Sequence, residues 1–263
     1  FGPSLNHGHA DDLNLNYYAL GYELTYDLGY SLGSTHTQVG WAKQTASHNL
    51  VMVDETPQGH DSEKDGSGGS MDLIAALPGL QVTECTSPCT YHSVGVTDYR
   101  RVCALVGDGP QTYLLDLFQV AGGKQHDYLF HALSKDVDFE GVKLSEPEQG
   151  SLAGPDVKWG ELQGNDGDMI GHPNQVYWNP PPGNGLGFLM NPQRGAVSGN
   201  VAATWNVGQD DCHVKMTLLP EPGTELITAW APGIYPETVG AYGSPGGFPR
   251  SRYVIARRKS DAA

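Results

Sequence analysis

Residues 99–133 read YRRVCALVGDGPQTYLLDLFQVAGGKQHDYLFHAL, and three extended runs stand out in them: Tyr99 to Val106, Gln111 to Val120 and His126 to Leu133. Asp108-Gly109 separates the first two runs and Gly122-Gly123 the last two. Such dipeptides supply the positive φ that a tight reversal needs, so between alternating apolar runs they signal β-hairpins. The stretch predicts an antiparallel meander, and no helical period competes with it.

The same pattern extends in both directions. In DDLNLNYYALGYELTYD (Asp11 to Asp27), Leu13, Leu15 and Tyr17 alternate with polar residues before a turn near Gly21, which predicts a further hairpin. Leu50 to Val53 is a short apolar run suited to a buried strand. Glu55 to Ser70 (ETPQGHDSEKDGSGGS) reads as a long exposed loop, not a linker, because the strand pattern resumes beyond it. Asn179 to Asn200 is rich in Gly, Pro and Asn and reads as an irregular excursion. Strands are expected again at Val201 to Val207, His213 to Leu219, Glu225 to Trp230 and Arg252 to Ala256. With 35 Gly and 18 Pro spread through 263 residues, the expectation is one all-β domain, 1–263, folded as an antiparallel two-sheet β-sandwich.

A formal net charge of -15 argues against sequence-independent affinity for nucleic acid or an anionic membrane, since both need a broad positive field. It does not argue against an acidic saccharide, because a cleft needs only local cations. No apolar run approaches the roughly 18 residues of a membrane-spanning helix. The first residue is Phe1, so an export signal, if there was one, is already gone. Four cysteines (Cys85, Cys89, Cys103, Cys212) do not form a paired zinc-ribbon pattern. Cys85 and Cys89 either close a small disulfide loop or remain free thiols.

Residues of metal-ligand type are densest at the beginning: Asn6-His7-Gly8-His9-Ala10-Asp11, followed by Asp27 and Ser47-His48-Asn49. In an extended chain His7 and His9 share a face. Two imidazoles and a carboxylate from neighbouring strands suit zinc with one position left for water. Tyr30 and Trp41, between Asp27 and His48, either stack on a sugar or anchor the core. The sequence has no nucleophile elbow, phosphate loop or zinc-protease helix motif.

The runs NHGHADDLNLNYYALGYELTYDLGY, SHNLVMVDETPQ and DLFQVAGGKQHDYLFHAL, in that order, resemble the β-sandwich region of heparinase II/III-type polysaccharide lyases; TELITAWAPG and RYVIARRK continue the resemblance more loosely. The resemblance implies a helical toroid ahead of the sandwich, a cleft between the two, and an anionic, uronate-containing polysaccharide as substrate. It implies that His9, Asp27 and His48 hold a structural metal, zinc by custom, and that His7 faces the substrate as a catalytic residue, with orientation of His9 as its alternative role. The tyrosine acid/base and the groups that neutralise the uronate carboxylate belong to the toroid, for which this chain has no counterpart. The chain is therefore expected to be truncated at both ends, with its partner wall on the missing part or on another chain, and the protein to be secreted or periplasmic. Two other readings are a non-catalytic carbohydrate-binding sandwich using Trp41, Trp159, Trp178 or Trp205, and a β-barrel enzyme with a complete metal site of its own.

Overall fold

The computed structural model describes residues 8–28, 38–61, 63–157, 184–207, 211–233 and 250–259. Fourteen strands run through them. A two-residue ribbon, β1 (Tyr18–Ala19) and β2 (Tyr22–Glu23), turns at Leu20-Gly21, where both residues have positive φ. It is followed by β3 (Val51–Val53), β4 (Ser70–Leu77), β5 (Leu80–Thr86), β6 (Asp98–Val106), β7 (Tyr113–Ala121), β8 (Gln125–His131) and β9 (Val137–Glu140). Then come β10 (Met190–Ala196), β11 (Val201–Asn206), β12 (His213–Leu218), β13 (Glu225–Pro232) and β14 (Arg250–Lys259). Every pairing is antiparallel. Among the described residues the only helical turns are short, Gln38–Ala42 being the longest.

Of the predicted meander, the β6–β7 hairpin is present, but β8 does not pair with β7: the chain crosses at Gly122-Gly123 into the other sheet, where β8 lies between β14 and β3. Strands β6, β7 and β8 follow one another through turns at 107–112 and 122–124, and Gly122 sits there at φ +99° with an imagined Cβ 2.2 Å from the Gly95 carbonyl oxygen. No other residue fits that contact. Strands β9, β10 and the β4–β5 hairpin are additions to the sequence reading, and β10 replaces part of the irregular excursion expected at 179–200. Pro192 lies within β10, which is tolerable because β10 is the edge of its sheet and its register shifts between Met190 and Gln193.

The strands form an antiparallel β-sandwich. One layer is the sheet β10-β13-β14-β8-β3; against it lie the sheets β12-β11-β9 and β4-β5-β6-β7. Alternation along β8 shows how the layers meet. Phe130 points to a core with Val254, Leu226, Ala203 and Trp205, and Tyr128 packs against both that core and the one with Val51, Tyr99 and Phe118. Leu129, on the opposite side, joins Ile255, Tyr253 and Ile227 beneath Trp41, Leu186 and Phe188. Both faces of the central strands are covered, which is why β13 is buried along most of its length and β8 through Leu129, Phe130 and His131, instead of at alternate residues. The side that carries Tyr253 and Leu129 is the side on which the candidate site is built.

Candidate metal centre

The short motif Ser47-His48-Asn49 is used at every residue. Residues Thr45–Ser47 form one tight turn, and the Ser47 hydroxyl lies within hydrogen-bond distance of the Gln44 and Ala42 carbonyls. His48, 1% exposed, places Nδ1 2.9 Å from the Gln44 carbonyl oxygen. A carbonyl only accepts, so Nδ1 carries the hydrogen, and Nε2 of the neutral ring carries a lone pair. Asn49, fully buried, accepts the His131 backbone N–H at 2.7 Å and donates Nδ2 to the Leu15 carbonyl at 3.3 Å. The motif thus ties the N-terminal segment to the start of β3 and the end of β8.

Arg101 on β6 fixes the same segments from the other side. Its Nη1 donates to the Leu13 and Asn49 carbonyls, both at 2.6 Å, while Nε and Nη2 fork onto Asp116 at 2.8 and 2.7 Å. Leu13 occupies a left-handed turn, φ +66°, closed by the Asn14 N–H donating to the Asp11 carbonyl. That turn reverses the chain just after His9 and Asp11. Ala10 N–H donates to the Lys43 carbonyl and holds the segment against the turn that carries His48.

These ties bring four ligand-type side chains together. His9, Asp11, Asp27 and His48 each present one donor atom within 4.8 Å of the others. Nε2 of His48 lies 3.2 Å from an Asp27 carboxylate oxygen and 3.4 Å from Nδ1 of His9, and Nδ1 of His9 lies 3.6 Å from the other Asp27 oxygen. Burial raises the Asp11 carboxyl above its ordinary value, against the pull of the two histidines. The donor chemistry fits a cation: lone pairs on His48 and on two carboxylates face one another, and only a proton or a metal ion relieves that repulsion. Two imidazole nitrogens with carboxylate oxygens form a set suited to zinc.

Below the cluster the support is aromatic. His131 stacks on Tyr253 with ring centroids 4.3 Å apart, meets Tyr26 edge-on at 4.6 Å and places Nε2 2.9 Å from the Tyr26 carbonyl oxygen. Tyr253 in turn donates its hydroxyl to the Ser47 carbonyl at 2.7 Å. Burial pushes the His131 imidazole down to about 3, so this ring is a neutral packing element and not an acid or base at neutral pH.

Residues 1–203 match the family described as Heparinase II/III-like, C-terminal. The chain belongs to this heparinase II/III-like C-terminal family. Among curated proteins none matches the sequence. Two solved structures of heparan sulfate lyase HepC from Pedobacter heparinus, one of them a mutant, are similar at 11% identity with TM-scores of 0.49 and 0.41. Each similarity covers 98% of this chain and 29% of the lyase, so the chain spans less than a third of that protein's length.

Of the residues singled out in the sequence, His9, Asp27 and His48 converge, and Asp11 joins them as a donor that the sequence reading passed over. Asp11 belonged to the same ligand-rich run as His9. What escaped notice was the turn at Leu13 that folds it back. His7 and Tyr30 lie outside the described residues. Trp41 corrects an expectation: it is fully buried against Phe188 and Tyr253, so it anchors the core and shows no face to a sugar. Trp205, named for stacking in the carbohydrate-binding reading, is also fully buried, and Trp159 and Trp178 lie outside the described residues. Asp127 is forked onto Arg257, and His126 contacts the Gly122 carbonyl, so both serve strand packing. The four cysteines are free thiols, and the Cys85–Cys89 loop disulfide is not formed. No helix among the described residues is long and apolar enough to cross a membrane.

Proposed function

We propose that this chain is the metal-pinned β-sandwich portion of a polysaccharide lyase acting on a uronate-containing, anionic polysaccharide by β-elimination. The observation that carries the reading is the meeting of His9, Asp11, Asp27 and His48 at one point in a chain of the heparinase II/III-like C-terminal family. The bound metal, zinc by the donor set, supplies a structural tie between the N-terminal segment, the turn after β2 and the start of β3. The secreted or periplasmic setting belongs to the same proposal, since a polymeric substrate is met outside the cytoplasm.

In β-elimination the uronate carboxylate is neutralised, the proton at C5 is removed and the leaving O4 is protonated. A histidine whose pKa lies near the working pH is suited to either proton transfer. His7, two residues before His9 in the sequence, is proposed for that role. The remaining acid/base groups are assigned to a helical domain facing this one. His48 supports the site without touching the sugar: it is buried, and its Nδ1 is occupied by the Gln44 carbonyl.

The test is a spectrophotometric assay for unsaturated uronate on a panel of anionic polysaccharides, run on the full-length protein. The expected result is turnover that falls by about 100-fold or more in His7→Ala, the usual size of an acid–base contribution, with folding retained. Binding of polysaccharide without any unsaturated product would replace the lyase reading with that of a carbohydrate-binding module.

A further inference from the structure

A second polar site lies on the opposite side of the five-stranded sheet from the metal cluster. Neighbouring residues of a strand face opposite ways. Tyr253 points toward Ser47 and His48, and Arg252 points to the other side, where the end of β11, the start of β9 and the β13–β14 pair surround a pocket of about 310 Å³. Its lining is Lys135, Asp136, Val137, Asp138, Asn206, Trp230 and Arg252.

Arg252 is unusual among the arginines whose side chains are described. Arg100 pairs with Glu84 and Asp98, Arg101 with Asp116, Arg194 with Glu148 and Glu225, Arg257 with Glu55 and Asp127, and Arg258 with Glu221. Arg252 is half-buried and has no carboxylate partner among the described residues. Nε donates to the Thr228 hydroxyl at 3.0 Å, one terminal nitrogen donates to the Gln193 side-chain oxygen, and the guanidinium carbon lies 4.4 Å from the centre of the Trp230 ring. Burial lowers its affinity for its proton, and the pocket's two carboxylates, Asp136 and Asp138, do not come within ion-pair distance of it. A half-buried cation without an ion-pair partner is costly, and part of that cost is recovered when an anion pairs with it.

The rest of the lining suits a sugar. Lys135 lines the pocket, is exposed and offers a second cation, next to the exposed Asp136. Asp138 accepts from the Asn206 amide at 3.1 Å, the kind of amide–carboxylate pair that also serves hydroxyl groups. Trp205 donates its indole N–H to the Arg252 carbonyl at 3.0 Å, which holds the backbone that carries the guanidinium. We propose that this pocket is a secondary subsite for an acidic sugar, whose carboxylate or sulfate meets Arg252 and Lys135 while its hydroxyls meet Asp138 and Asn206. Its connection to a polymer rests on the lyase reading; its existence does not.

The experiment is a titration followed at the Trp230 indole N–H by two-dimensional NMR, with glucuronic acid, glucose 6-sulfate, glucose and sodium sulfate as separate probes. Glucuronic acid and glucose 6-sulfate, which separate the carboxylate source from the sulfate source, are expected to shift the signal saturably. Glucose should fail to do so, and sodium sulfate should bind more weakly than either sugar. Arg252→Gln should weaken binding by about tenfold or more, the effect of one charge-assisted hydrogen bond. Lys135→Gln, an exposed change that leaves folding intact, should weaken it about two- to fivefold. Equal response to glucose, no response to either charged sugar, or unchanged affinity in Lys135→Gln with intact fold would each overturn the subsite. A metal-bound, active lyase whose Trp230 ignores these probes refutes this inference alone; a chain without lyase activity that still shows the shifts refutes only the proposed function.

Discussion

Replacing Arg101 with alanine removes the buried cation that ties sheet β4-β5-β6-β7 to the segments bearing the metal-site residues. Arg101 is 4% exposed and its partner Asp116 13%. Burial alone would raise the Asp116 carboxyl, but the Arg101 guanidinium outweighs it and holds the group below the ordinary carboxylate value. Breaking a buried pair by deleting one partner costs about 3–5 kcal/mol, because the other charge stays buried. The Leu13 and Asn49 carbonyls also lose a charged donor, and their cost overlaps with that range instead of adding to it in full. A loss of about 4 kcal/mol is a large part of the roughly 5–15 kcal/mol that holds a typical domain together. With a urea slope of about 2–3 kcal/mol per molar, the unfolding midpoint should fall by about 1–2 M. Arg101→Lys, which keeps the charge but not the fork, should fall between parent and alanine variant. The double change Arg101→Met with Asp116→Leu should be milder than the sum of the two single changes. A loss under about 1 kcal/mol for Arg101→Ala, or strict additivity in the double variant, would refute the reasoning.

Further outcomes follow from other contacts. His131 is held neutral with a pKa of about 3, against about 6.5 in the unfolded chain, so the unfolded state takes up the proton first as pH falls. Stability is therefore full above about pH 6.5 and drains away toward pH 3, with about 2 kcal/mol lost by pH 5; urea midpoints across that range should show it, and His131→Gln should flatten the curve. Gly122→Ala, whose Cβ would meet the Gly95 carbonyl oxygen at 2.2 Å and the Val96 Cα at 2.8 Å, should cost more than about 1 kcal/mol in denaturant titration. His48→Ala should abolish the rise in melting temperature that added zinc gives the parent chain, since binding to the folded state alone is what raises it.

The all-β class and the β6–β7 hairpin were legible because Asp108-Gly109 separates runs whose alternation matches the pleat; Gly122-Gly123 marked a turn, but the pattern could not tell a hairpin from the crossing into a second sheet that β8 makes. Strands β4 and β5 were less visible. Met71, Leu73, Ile74 and Leu77 are all exposed on β4, so its run of apolar residues does not alternate, and the glycine-rich loop before it obscures its start. Strand β10 was hidden by the composition NPQRGA, where Pro192 and Gly195 argue for a loop unless the strand is known to lie at an edge. In the candidate site, His9, Asp27 and His48 were readable as donors. Asp11 needed the three-dimensional turn at Leu13, and the burial of Trp41 needed the packing of Phe188 and Tyr253, residues far from it in the chain.

The claim on which the account depends is that His9, Asp11, Asp27 and His48 hold one divalent ion. Crystals of the zinc-equilibrated protein, measured on both sides of the zinc absorption edge, address it directly. The account predicts a single strong anomalous peak about 2.0–2.2 Å from a nitrogen of each histidine and from an Asp27 oxygen, with Asp11 as the fourth donor or joined to the ion through water. An empty cluster with zinc bound elsewhere, or a peak ligated by neither His9 nor His48, would contradict it.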